Sequence, residues 1–110
     1  MHSLHDVHQD HRSVHQATMV GCRSVPQLLC YQSPSATVEF RPTRFVSVQD
    51  SMDRKIEAIA QYGSQTAIRD YLSVDLLRAT ARYWGRFGGC LYAEPFEVAR
   101  DSREAPNVQH

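Results

Sequence analysis

A chain of 110 residues that is 42% hydrophobic, with five glycines and five prolines, has the composition of one small globular domain rather than a disordered segment. Twelve Lys and Arg balance twelve Asp and Glu, which argues against a nucleic-acid binder and its basic stripe, and no apolar run approaches the ~20 residues of a membrane-spanning helix. The first residues have neither a basic n-region nor an apolar h-region, so they do not read as a secretory signal. The three spaced cysteines, Cys22, Cys30 and Cys90, read as reduced, buried structural thiols of a soluble cytoplasmic protein.

In chain order, residues from about Gln9 to Arg23 are expected to form a helix, with His11, Val14, Thr18, Gly21 and Cys22 on its core-facing stripe. Val25 to Gln32, with the unbroken apolar run Leu28-Leu29-Cys30-Tyr31, suits a strand buried on both faces. Pro34 ends it, and a polar loop runs from Ser33 to Arg44. Phe45 to Val48 makes a short second strand. Asp50 is the expected N-cap of a second helix, whose apolar face comprises Met52, Ile56, Ile59 and Ala60 and which stops near Tyr62-Gly63. Ser73 caps a third helix, with Asp75 in its first turn, with Leu77, Ala81, Trp84 and Gly88 on one side, and with Gly88-Gly89 ending it. Cys90 to Val98 reads as a strand that Pro95 confines to an edge or a strand end. The domain is expected to occupy residues 1–100, with 101–110 as a mobile tail. Strands alternating with helices define the class as α/β.

The chemistry concentrates at the start of the first helix, where Leu4 to Arg12 places His5, Asp6, His8, Asp10 and His11 within nine residues. Imidazole is the commonest biological metal ligand, and catalytic zinc takes about three protein ligands with a position left for water. His11 falls on the inward stripe, where an unsatisfied imidazole costs about 1–3 kcal/mol, so it needs a partner or a metal. Capping and packing are the competing roles for His8 and His11. His2, His5 and His15 read as solvated surface residues rather than ligands, although His15 lies near the angular position of His8. Glu94 is expected on an inner face in a structural salt bridge, with an arginine of the third helix as partner. Arg82 and Arg86 read as a solvated helix face, and Trp84 and Phe87 as core or subunit interface.

Four blocks in order give the chain a resemblance to the C-terminal half of the PIG-L/LmbE-type zinc-dependent N-deacetylases. His8-Gln9-Asp10-His11-Arg12 resembles that family's His-Pro-Asp-His-Arg block, and Phe40-Arg41-Pro42-Thr43-Arg44-Phe45-Val46 its Phe-x-Pro-x-x-Phe-Val strand entry. Lys55 through Ser64-Gln65 is similar to its Lys-x-x-Ala…Tyr-x-Ser-Gln helix. Arg82-Tyr83-Trp84-Gly85 followed by Tyr92-Ala93-Glu94-Pro95-Phe96 is similar to its closing helix and strand. The resemblance implies the C-terminal part of a Rossmann-like three-layer α/β domain. It also implies hydrolysis of the acetamide of an N-acetylglucosamine-type substrate with Zn2+ as cofactor. By motif position it makes His11 a zinc ligand, His8 the histidine that stabilises the oxyanion, and Asp10 the carboxylate that orients His8.

Two departures bear on these expectations. Gln9 stands where the family commonly has proline, at the first residue of the helix. The family's His-Pro-Asp-Asp-type loop, which supplies two zinc ligands and the general base, has no counterpart in these residues, nor do the first strands of the family's parallel sheet. The expectation is therefore a partial deacetylase that needs a missing N-terminal half in cis or in trans. The alternative is a non-catalytic binding or oligomerisation module derived from the fold, with exposed strand edges favouring a homo-oligomer. A third possibility is a metal site rebuilt between chains from the N-terminal histidines.

Overall fold

The computed structural model describes residues 1–61 and 73–102. The described elements are α1 (Gln9–Gly21), β1 (Gln27–Tyr31), β2 (Arg44–Ser47), α2 (Met52–Ala60), α3 (Val74–Gly88) and β3 (Ala93–Asp101). The strands form one sheet in the order β1-β3-β2, and the chain divides into two compact units, residues 1–44 with 95–110 and residues 45–94. The expected stop of the second helix at Tyr62-Gly63, the Ser64-Gln65 block and most of the expected tail lie outside the described residues. Among those described, no helix is long and apolar enough to cross a membrane.

In the first unit, α1 begins where its sequence signals place it. His8 is the N-cap, its ring Nδ1 accepting the Asp10 N–H at 3.2 Å, and Asp10 sits in the first turn, where a carboxylate complements the helix dipole. The covered stripe differs from the expected one. Val14 is 45% exposed, whereas His11, Arg12, His15, Thr18, Met19 and Cys22 are half-buried. Either set satisfies helical spacing. Hydrogen bonds tie the observed face: Arg12 Nη1 donates to the Asp6 carbonyl at 2.7 Å, and His15 Nδ1 lies 3.0 Å from the His2 carbonyl.

Strand β1 is shorter than its apolar run and covered on one face only, with Leu28 and Cys30 buried and their neighbours half-buried or exposed. It pairs with β3 antiparallel, from Gln27 opposite Asp101 to Tyr31 opposite Phe96, with an irregularity between Leu28 and Leu29. The sheet thus belongs to a mixed α/β domain, and this pairing differs from the parallel arrangement that a Rossmann-like domain implies. A parallel neighbour needs a crossover that packs on the sheet, while an antiparallel one needs only a matching register. Strand β3 places Pro95 at the second of its two expected positions, a strand end, and reverses the expected start of the tail. It is the central strand despite Pro95, because its ladder with β1 begins at Phe96, just past the residue that lacks an N–H. It continues through Asp101, the expected start of the tail, which Arg44 Nη2 holds at 2.8 Å. Leu28, Cys30 and Phe40 are the buried apolar side chains here.

In the second unit, Ser51 rather than Asp50 is the N-cap of α2, and Met52 behind it is only 1% exposed. Both ends of α3 match their sequence signals: Ser73 Oγ accepts the Leu76 N–H at 3.2 Å, and Gly89 closes the helix with φ +68°, a conformation that favours glycine. Gly85 answers a different constraint, since a Cβ there would lie 2.5 Å from the Leu91 carbonyl oxygen. Among the described residues of this unit, Met52, Ala81 and Ala93 are the buried apolar ones. Phe45 stacks with Trp84 and Phe87 at centroid separations of 5.9 and 5.6 Å. Trp84 is half-buried, but Tyr83 and Phe87 are about half exposed, so the aromatic pair expected as core or subunit interface is only partly covered within the chain. Glu94 pairs with Lys55 of α2 at 3.6 Å and is partly exposed, not with an arginine of the third helix. Of the cysteines only Cys30 is buried; Cys22 and Cys90 are intermediate.

Candidate functional site

Isolated bridges seat the first six residues, His2 against Tyr31 and Asp6 against Ala36, with a bend at Leu4-His5 between them. The Met1 carbonyl accepts the Tyr31 N–H at 3.1 Å, and the His5 carbonyl accepts the Thr37 N–H at 3.0 Å. His2 and Asp6 consequently meet α1 and the residue 31–35 segment, whereas Ser3 and His5 turn toward Glu97.

Asp6 is the centre of the first cluster. Its side chain is fully buried, and each carboxylate oxygen receives two donors. Ser35 Oγ at 2.7 Å and the His8 N–H at 2.9 Å reach Oδ1, while Ser33 Oγ and His11 Nδ1, the latter at 3.0 Å, reach Oδ2. Burial pushes its carboxyl pKa up, but the bonds from Ser33, Ser35, the His8 N–H and His11 outweigh that cost and hold the group well below the usual carboxylate range. The anion is therefore the species present at neutral pH.

Three imidazoles stack over this carboxylate. His11 lies between His2, at 3.8 Å between centroids, and His8, at 4.4 Å, each pair within 11° of parallel. Burial, then the proximity of His11, lowers the pKa of His2, favouring the neutral ring that binds metals. The Tyr31 hydroxyl lies about 3 Å from the His2 ring nitrogens. Potential ligand atoms of His2, Asp6 and His11 all fall within 4.8 Å of one another. With both Asp6 oxygens already accepting two bonds, the donors with lone pairs to spare are imidazole nitrogens, a donor type that suits zinc.

A second polar pair lies on the other face of the N-terminal segment. His5 Nδ1 is 3.1 Å from Glu97 Oε2, which also accepts the Arg41 N–H at 3.1 Å, and Ser3 Oγ donates to the remaining carboxylate oxygen. Burial opposes ionisation of Glu97, but bonds from Ser3, the Arg41 backbone and His5 lower its pKa on balance. His5, Glu97, His15, Cys30, Leu4 and Val98 help line an open cavity of about 370 Å³.

The sequence-predicted residues divide accordingly. His8 and His11 are brought together. Asp10 is exposed and meets His8 through its main-chain N–H, so the carboxylate beside the imidazoles is that of Asp6. His2 and His15 are not free surface residues: both are half-buried, and His15 Nδ1 also lies 3.7 Å from Cys30 Sγ. Sequence reasoning missed Asp6, His2, Ser33 and Ser35. Asp6 stood within the His-rich stretch, but its serine partners are 27 and 29 residues away, beyond the reach of any local pattern.

Comparison with known proteins relates part of this chain to a protein named as a deacetylase. The chain is 46% identical over 52 residues to a protein of Escherichia coli (strain K12) named uncharacterized deacetylase YaiS. The match covers 46% of this chain and 28% of that protein, so it spans little more than a quarter of the relative's length. No protein-family model matches the chain, and no solved structure matches it.

Proposed function

We propose that this chain carries the histidine-bearing part of a zinc-dependent N-deacetylase site of the PIG-L/LmbE type, acting on the acetamide of an N-acetylglucosamine-type substrate. The observation that supports it best is the Asp6–His11–His8 arrangement, together with the relative named as a deacetylase. In this reading the mixed α/β fold is the C-terminal portion of a Rossmann-like domain, and the remaining zinc ligands and the general base come from residues outside this chain, in cis or in trans.

Zinc, when bound, supplies a Lewis acid for the amide carbonyl and lowers the pKa of a water molecule. His11 would hold it through Nε2, because Nδ1 is engaged by Asp6. His8 accepts the Asp10 N–H on Nδ1, so a neutral ring carries its proton on Nε2 and presents a donor to the developing oxyanion. The helix start thus positions His8 through a backbone bond, with the Asp10 carboxylate left in solvent.

The test is acetate release from an N-acetylglucosamine-type substrate by a polypeptide that completes the catalytic unit. His11→Ala is expected to lose tight zinc binding. His8→Ala is expected to keep zinc and lose about 10²–10³-fold in kcat, the scale of one oxyanion donor. Retention of zinc by the first variant, or of turnover by the second, overturns the reading.

A further inference from the structure

We infer that Asp6, fixed by Ser33 and Ser35, is a positioning residue that locks His11 in the Nδ1–H tautomer and so presents the Nε2 lone pair to a divalent cation. The consequence for the metal rests on the reading of His11 as a zinc ligand given above; the tautomer does not.

The argument follows from the inventory of donors and acceptors. An ionised carboxylate only accepts, so the 3.0 Å contact between Asp6 Oδ2 and His11 Nδ1 requires the proton on Nδ1. A neutral imidazole protonated there has its lone pair on Nε2. Metal-binding histidines usually have this companion, a carboxylate or carbonyl that takes the other ring N–H and fixes tautomer and ring orientation.

The carboxylate cannot easily turn away from this task. Ser33 Oγ shares Oδ2 with His11, while Ser35 Oγ and the His8 N–H occupy Oδ1. Ser35 Oγ also lies 3.3 Å from His11 Nδ1 and 3.2 Å from Ser33 Oγ; with both serine protons donated to Asp6, the two hydroxyl oxygens pack closely around the pair and leave the carboxylate little room to turn. Each Asp6 oxygen is satisfied by two donors within the chain, which argues for Asp6 as an orienting group rather than a direct ligand. Any cation is left to the imidazole edge of the cluster, where His2 stacks on His11.

Asp6→Asn discriminates well because it is nearly isosteric and reverses the hydrogen-bond sense. An asparagine keeps one acceptor oxygen for the serine and backbone donors and turns its NH2 toward His11, which must then accept on Nδ1 and carry its proton on Nε2. The experiment is long-range 1H–15N NMR of the histidine rings in the untagged 110-residue chain without metal, and Zn2+ titration of the polypeptide that completes the catalytic unit, for the wild type, Asp6→Asn and Ser35→Ala. Far-UV circular dichroism confirms folding in each. The expected result is an Nδ1–H His11 in the wild type, an Nε2–H His11 in Asp6→Asn, and zinc affinity reduced 10–100-fold in that variant, as for other orienting partners of metal ligands. Ser35→Ala is expected to keep the tautomer and lose less affinity. A wild-type His11 protonated on Nε2, or an unchanged tautomer in Asp6→Asn, overturns the inference whatever the chain's enzymatic activity. A tautomer that switches while zinc affinity stays the same overturns the metal-presenting role and, with it, the assignment of His11 as a ligand; the positioning of the ring by Asp6 then stands without a metal.

Discussion

The two units are held by different physics. Residues 1–44 with 95–102 bury polar groups: Ser3, Asp6 and Ser33 are each at most 6% exposed, and no buried side-chain nitrogen or oxygen among the described residues lacks a partner. Among the described residues of 45–94 no polar group is buried; those buried are Met52, Ala81, Ala93 and Gly85, with an aromatic cluster of Phe45, Trp84 and Phe87 in the same unit. A buried polar network depends on every member, because one lost acceptor leaves several donors unpaired. Close-packed small residues depend on volume alone. The first kind of interior positions chemistry; the second provides support.

Asp6→Ala is the most direct way to break that contrast. Four donors lose their acceptor at once, and a loss of about 3–4 kcal/mol in urea unfolding is expected, the scale of disrupting a buried, paired charge. Gly85→Ala tests the other interior: its Cβ would meet backbone at 2.5 Å, and overpacking of this kind costs about 1–3 kcal/mol. If Gly85→Ala proves the more damaging, the ranking of the two interiors is reversed. Ser73→Ala removes only a helix cap, worth about 1 kcal/mol, and a difference in thermal midpoint near zero would mean that the cap is not limiting.

Acid separates the units without mutation. The pKa of Glu97 is lowered in the folded protein, so the unfolded chain takes up its proton first as pH falls. The stability it contributes is present above the ordinary glutamate value and fades as pH drops through the folded one. Glu97→Gln should therefore flatten the acid limb of a stability profile below the ordinary glutamate value, where the fall of a variant with Glu97 intact is steeper. Identical limbs for wild type and Glu97→Gln would refute the role given to the Ser3, Arg41 and His5 bonds.

What was legible in the sequence follows the same division. The helix starts at Gln9 and Val74, the Ser73 cap and the Gly89 stop depend on neighbours a few residues apart, and they stand as read. His11 was also legible, because helical spacing turned it inward. The displaced stripe of α1, the central position of β3 despite Pro95, and the partner of Glu94 were not, since each depends on segments distant in the chain. The meeting of Asp6 with His11 has the same origin. Asp10 lies two residues past His8, and residues two apart on a helix do not face each other, whereas Asp6 reaches His11 from an N-terminal segment that lies against Ser33 and Ser35.

By itself, then, the sequence determined the local elements and the concentration of imidazoles at one helix start, because backbone propensity, capping and periodicity act over a few bonds. Only the tertiary structure decided which carboxylate meets those imidazoles, which strand lies central and which polar groups are buried. A buried charge is tolerated only where its donors converge, and the donors of Asp6 come from α1 and from a segment 27 to 29 residues along the chain.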